Sequence, residues 1–344
     1  MFMTAIPGNI AATHRAEAPS IPPVAGQAAR PTVSVMLPTY EPGRYLIDAL
    51  RSVLQQDQGP AEMQIAVVDD ASPTVDVAAL VAEAAPDGRV EVHRMASNQG
   101  LAGNWNQCVR MARGRIVHLL HQDDLVRDGF YRRLLPAFST SPDVGMAFCR
   151  LQFIDENDRV TGRTHRERWR AGILRDWLTK IAEWQRIQCA SVLVRRSVYE
   201  DLGGYRDDLC FALDWEMWVR VAARHATWYE PQMLACYRRH SGSETSRLRN
   251  AGRVGRDILE TIDTFANHLP AQDRQRHVQR AYHRFARKTL KQVARLEPGA
   301  SIDIDDLLQP IRIAISRLPH DRRTRHYDQQ CAEIERRWRS SESR

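Results

Sequence analysis

The sequence predicts an α/β fold: a mostly parallel sheet flanked by helices, followed by a C-terminal helical extension. Between Thr32 and Leu120, short apolar runs alternate with amphipathic stretches over short connections, which argues for parallel strands joined by right-handed crossovers. Beyond Arg247 only helical spacing is left, as in Ile258-Ile262-Phe265 and Val278-Tyr282-Phe285, with a break near Pro298-Gly299.

Residues 1–30 are rich in Ala and Pro and lack hydrophobic periodicity. They hold no apolar core long enough for a signal peptide, so they read as a disordered tail. The first strand is Thr32-Val33-Ser34-Val35-Met36-Leu37, stopped by Pro38. A helix follows from Tyr45 to Gln55, with Leu46, Ala49, Leu50 and Val53 on one face. Gln64 to Val68 is a second buried strand, ended by Asp69-Asp70-Ala71-Ser72-Pro73. An amphipathic stretch from Val75 to Ala84 leads to a strand at Val90 to His93. A helix through Asn104 to Met111 then leads to the strand Ile116 to Leu120. Residues from Asp143 to His240 mix both patterns and complete the sheet. The resulting division is a tail at 1–30, a catalytic domain at 31–246 and a basic helical region at 247–344.

Charge follows this division. Of the net +7, residues 247–344 carry +8 (21 Lys and Arg against 13 Asp and Glu), leaving −1 for the rest. No nucleic-acid-binding module accompanies the surplus, so nucleic acid is not an expected partner. An anionic membrane surface met peripherally, another anionic partner, or a solvated arginine-rich surface remain as readings. No apolar run approaches the roughly 20 residues of a spanning helix. The six cysteines show no CxxC pair or disulfide-like spacing, which suits a reducing cytoplasm.

Ligands of such sheets lie beyond the carboxyl ends of the strands, so the polar clusters after Leu37, Val68 and Leu120 converge on one site. His121-Gln122-Asp123-Asp124 offers adjacent carboxylates that can hold a hard divalent cation, or simply make a solvated turn. Asp69-Asp70 with Ser72 stands in an equivalent place, where a carboxylate can accept the N–H of a uracil or thymine ring. After the first strand, Pro38-Thr39-Tyr40-Glu41 replaces the GxGxxG of dinucleotide-binding folds, which disfavours a nicotinamide or flavin enzyme. Gly203-Gly204-Tyr205 suits a tight turn near a ligand, or a helix C-cap after Leu202. The run from Arg163 to Arg175, with Trp169 inside it, reads as a lid or as a solvated basic loop.

These motifs, in order, resemble the family 2 glycosyltransferases of GT-A fold from Val33 to Ser246. The resemblance rests on Leu-Pro-Thr-Tyr at 37–40, Val-Val-Asp-Asp-Ala-Ser at 67–72, and Asn98-Gln99-Gly100 through Asn104-Trp105-Asn106. It continues through His121 to Asp124, Gly203-Gly204-Tyr205, Asp214-Trp215-Glu216-Met217-Trp218 and Tyr237-Arg238-Arg239-His240. It implies a Rossmann-like GT-A sheet, a nucleotide-diphosphate sugar donor of UDP or dTDP type, and Mg²⁺ or Mn²⁺. It also implies inversion by single displacement onto a saccharide or lipid-linked saccharide, in bacterial surface polysaccharide or glycolipid synthesis. Pro38, Thr39, Tyr40, Glu41, Asp69 and Asp70 would then surround base and ribose, with Asn98, Gly100, Asn106 and Asp123 also on the nucleotide. Asp123 and Asp124 would hold the metal with His240 near it. Asp214 would be the general base, ionised with help from the dipole of the helix it starts. Gly203, Gly204, Tyr205, Trp215 and Glu216 would face the acceptor. Many members have an acid at the place of His121 and an Arg at that of Trp105; both changes occur together in a variant carrying Asn-Trp-Asn and Gln-Asp-Asp. The alternatives are a nucleotidyltransferase, which would show a glycine-rich phosphate loop after the first strand, and a silent nucleotide- or glycan-binding relative, which has no need of a base.

Overall fold

The structure, a computed structural model, describes residues 17–26, 29–243, 253–297 and 303–342. Strands β1 (Val33–Thr39), β2 (Met63–Asp69), β3 (Glu91–Arg94) and β4 (Ile116–Leu119) alternate with helices α1 (Tyr45–Leu54), α2 (Val77–Ala84) and α3 (Gly100–Met111). They pair in parallel in the order β3-β2-β1-β4. After β5 (Leu125–Val126) come helices α4 (Phe130–Leu134) and α5 (Ala137–Thr140), then β6 (Val144–Ile154), β7 (Val160–Arg163) and β8 (Gly172–Ile173). Helix α6 (Trp177–Glu183), β9 (Val192–Arg195), α7 (Arg196–Leu202), α8 (Leu213–Ala222) and β10 (Ala226–Arg238) complete the sheet region. Strand β9 lies antiparallel between β4 and β6, and the long β10 runs parallel to β6. Among the described residues four helices follow: α9 (Val254–Phe265), α10 (Arg274–Val293), α11 (Ile304–Ser316) and α12 (Arg322–Glu342).

Every residue of β1 and β2 is buried, as expected of parallel strands covered on both faces. Alternation divides them between two cores. Val33, Val35 and Leu37 meet α1, α2, α4 and α5, whereas Met36, Ala66 and Val68 join α3, α8 and the C-terminal helices. Leu259, Ile262, Phe285 and Trp338 belong to that second core, so the described part of the basic region packs as a third layer. Its expected boundary at 246/247 and its break at Pro298-Gly299 lie outside the described residues.

Two sequence expectations are corrected. Residues 17–26, assigned to a disordered tail, form an extended segment whose Ile21 is 1% exposed within the second core. Pro19 O accepts from Gly204 N (2.7 Å) and Pro22 O from Arg196 (3.0 Å), which tie it down. Residues 1–16 of that tail lie outside the described residues. Helix α8 starts at Leu213, one residue before Asp214, and its N-cap position is Ala212.

Candidate functional site

The carboxyl ends of β1, β2, β3, β4 and β10 fall on one edge of the sheet, bringing Thr39, Asp69, Arg94, His121 to Asp124 and Arg238 together. At its centre, His121, Asp123 and Asp124 place one ligand atom each within 4.8 Å of one another. Asp124 is 1% exposed. Its Oδ1 accepts from the Arg238 backbone N–H (2.9 Å), while its Oδ2 accepts no hydrogen bond. The His121 Nε2 is likewise buried and unpartnered. His240 Nε2 lies 3.0 Å from Asp123 Oδ2, so β10 delivers a second imidazole to the cluster. Burial pushes the Asp124 carboxyl well above the usual carboxylate range and lowers the His121 imidazole. Two oxygens and a neutral imidazole, with orphaned buried acceptors among them, suit a divalent cation. The Arg238 guanidinium, by contrast, is turned to Asp158 and the Asp123 carbonyl, leaving the carboxylates of the cluster unpaired by it. His121 also stacks at 4.8 Å on Trp105, so the two departures from the family's common pattern touch each other.

Beside the cluster, Gln122 clasps Tyr40 by two bonds: the Tyr40 N–H donates to Oε1 (3.0 Å), and Nε2 donates to the Tyr40 carbonyl (3.2 Å). This holds an exposed tyrosine ring at the mouth of the site. Glu41, with φ of 45°, uses its carboxylate to accept from Thr74 and Val75. Asp69 accepts from Ser72 N, Ser72 Oγ and Arg94, and Asp70 accepts from the N–H groups of Gln99 and Gly100. Both oxygens of each carboxylate are thus engaged by protein, which fixes the loops that follow β1 and β2. Pro38 and Thr39 are buried below this loop. Asn98 bonds Gly100 N (3.0 Å), and Gly100, with φ of +72°, opens α3 where a side chain would be strained. Asn106 was expected on the nucleotide. It is buried, and its amide exchanges two bonds with the Tyr205 backbone (2.8 and 2.7 Å).

The acceptor-side expectation also divides. Asp214 is partly exposed; its Oδ1 accepts from Trp215 N (2.6 Å) and its Oδ2 from Gln185 Nε2 (2.7 Å). Loss of water around it raises its carboxyl to about 7, which outweighs the help the helix dipole was expected to give its ionised form. Burial, and after it the charges of Asp214 and Asp124, pushes the Cys189 thiol well above its ordinary range. The remaining residues are structural. Glu216 is 1% exposed and paired with Arg220, which caps the carbonyls of Leu202 and Gly204. Trp215 is buried and donates to Ile181 O. Gly203 ends α7 with φ of +82°, and a Cβ on Gly204 would lie 2.2 Å from Asn106 Oδ1. Tyr205 is fully buried against Trp105.

Gln185 and Asp257 carried no motif signal. Asp257, on the buried face of α9, accepts from the N–H groups of Cys210, Phe211 and Ala212 (2.8, 2.9 and 2.6 Å) and so fixes the entry to α8. A buried acid one turn before Thr261 and two before Phe265 was its only trace. Between β7 and β8, Glu167 pairs with Arg186 (2.8 Å) and Trp169 is 81% exposed under Arg166.

Residues 34–203 match Glycosyl transferase family 2. An uncharacterised protein of Mycobacterium tuberculosis, MT1568, is 31% identical over 234 residues, covering 64% of this chain and 71% of that protein. Among solved structures, S. aureus TarS 1-349 in complex with UDP-GlcNAc superposes with a TM-score of 0.66 at 16% identity, over 90% of this chain and 92% of that one. The mannosyltransferase PcManGT of Pyrobaculum calidifontis, in complex with GDP-Man and Mn²⁺, superposes with a TM-score of 0.51 at 18% identity, over 89% of this chain and 85% of that one. No helix among the described residues is long and apolar enough to cross a membrane.

Proposed function

The chain belongs to glycosyl transferase family 2, and we propose that it transfers a sugar with inversion from a UDP- or dTDP-linked donor to the hydroxyl of a saccharide or lipid-linked saccharide. One observation carries the reading: the buried Asp124 Oδ2, which accepts no hydrogen bond, sits in the His121-Asp123-Asp124 cluster at the carboxyl edge of the sheet. A divalent Mg²⁺ or Mn²⁺ held by Asp123 and Asp124, with His121 and His240 beside them, would neutralise charge on the departing diphosphate. The Mn²⁺ and nucleotide sugars named with the structural neighbours support this donor class.

The rest is done by the chain's own groups. Tyr40, held by Gln122, offers a ring face to the base, and Asp69 and Asp70 keep the loop below it rigid. Asp214 takes the proton of the acceptor hydroxyl as that oxygen attacks the anomeric carbon and the nucleoside diphosphate leaves from the opposite face. Gln185 Nε2 fixes the carboxylate's Oδ2 and thereby its orientation. A base whose pKa lies near 7 is matched to its task at neutral pH. Incubation with a panel of UDP- and dTDP-sugars and Mn²⁺ tests the reading. Release of nucleoside diphosphate with retained sugar stereochemistry, or release of nucleoside monophosphate and sugar 1-phosphate, would contradict it.

A further inference from the structure

Helices α10 and α12 enclose a groove of about 1050 Å³ to which neither donor nor base is assigned. Seven Lys and Arg side chains line it, among them Arg284, Arg287, Lys291 and Arg323, against two carboxylates, Glu183 and Glu333. Two of the seven are already used: Arg280 pairs with Glu183 (2.9 Å), and Arg337 donates to the carbonyls of Ala294 and Leu296. Among the described residues Arg284, Arg287 and Lys291 form no ion pair. Burial and the neighbouring Arg186 and Arg287 depress the Arg284 guanidinium, and Lys288 is depressed by burial and by the same group of arginines. Cations that outnumber the carboxylates around them repel one another, and an anion placed between them relieves that cost.

Glu183, which lines the groove, closes α6, and the three residues after it connect the groove to the proposed base. The Lys288 ammonium lies 3.8 Å over the Trp184 ring, and Trp184 packs at 6.2 Å against Trp215, the neighbour of Asp214. Gln185 bonds Asp214, and Arg186 lies in the field of Arg284. The geometry points to a binding groove for a phosphate-bearing acceptor chain, whose phosphodiesters lie along the cations of α10 and α12 while its terminal hydroxyl meets Asp214. A bilayer would engage cations on a convex face; these line a concavity between two helices, which fits a chain. The inference rests on the reading of Asp214 as base.

Calorimetry with a short poly(glycerol phosphate) oligomer tests it, beside a neutral maltooligosaccharide of similar length and vesicles of phosphatidylglycerol and phosphatidylcholine. The oligomer is expected to bind with salt-dependent affinity, weakened by about 10-fold or more in Arg284→Gln/Lys288→Gln. The charge-keeping pair Arg284→Lys/Lys288→Arg should restore binding, and Arg51→Gln, on the exposed side of α1, should leave it unchanged. UDP affinity with Mn²⁺ and the melting temperature, measured on the same proteins, should not move; this arm reports separately on the donor site. Equal oligomer affinity in the double variant, equal affinity for the neutral chain, or binding to the anionic vesicles without binding to the oligomer would overturn the inference.

Discussion

Asp214, the proposed base, carries an unusual cost of ionisation, and both its role and that cost are open to measurement. Its carboxyl sits near 7 because water is excluded around it and Asp257 adds a like charge. A base must be ionised to act, so turnover should rise with pH along a limb with its midpoint about 7. Asp214→Asn keeps the shape and the contact with Gln185 but cannot take a proton; kcat should fall by on the order of 10²-fold or more with UDP affinity unchanged. The same group makes a stability prediction. A carboxyl raised in the folded state favours the protonated fold, so its penalty grows as pH rises from its ordinary range near 3.8 to about 7. The melting temperature of Asp214→Asn should therefore exceed the parent's by more at pH 8 than at pH 5; an equal difference at both would show that Asp214 ionises freely. Glu216, which stands near it in sequence, is locked to Arg220 and is no substitute base.

At the scale of elements, α8 is held from outside the family-matched segment. Three backbone N–H groups before it converge on Asp257 of α9, so the base helix is anchored by the C-terminal layer. Asp257→Ala leaves those donors unmet and should cost about 2 kcal/mol in chemical denaturation. Removing its charge in Asp257→Asn should also move the pH midpoint of turnover below that of the parent, which a purely structural role would not do. The N-terminal strap gives a second test: Ile21→Ala empties a fully packed site and should cost about 2–4 kcal/mol. Why the sequence showed some elements and hid others follows from these cases. Strands β1 to β4 and α1 to α3 carry periodic apolar residues and announce themselves. A strap anchored by one isoleucine has no period, and a buried acid serving three amides of a distant loop has no local pattern. Asn106 and Glu216 sit in recognisable motifs, yet Asn106 bonds the Tyr205 backbone and Glu216 pairs with Arg220, and a motif does not say which way a side chain faces.

Across the whole molecule, the mostly parallel sheet brings five strand ends to one edge, where the His121-Asp123-Asp124 cluster lies beside the exposed ring of Tyr40. The order of the motifs made this convergence legible before any coordinates, because strand ends of such sheets share an edge. The third layer of helices was legible only as periodicity and charge; its grip on α8 and its basic groove depend on contacts between residues far apart in the chain. The central claim is that Asp123 and Asp124 exist to hold a divalent cation under the donor diphosphate. Calorimetry of UDP binding with Mn²⁺ and with EDTA, on the parent and on Asp124→Asn, tests it most directly. The parent is expected to bind UDP in Mn²⁺ and to lose at least about 10-fold in affinity in EDTA, while Asp124→Asn binds weakly in both. Equal UDP affinity in Mn²⁺ and EDTA for the parent, or full Mn²⁺-dependent binding by Asp124→Asn, would contradict it.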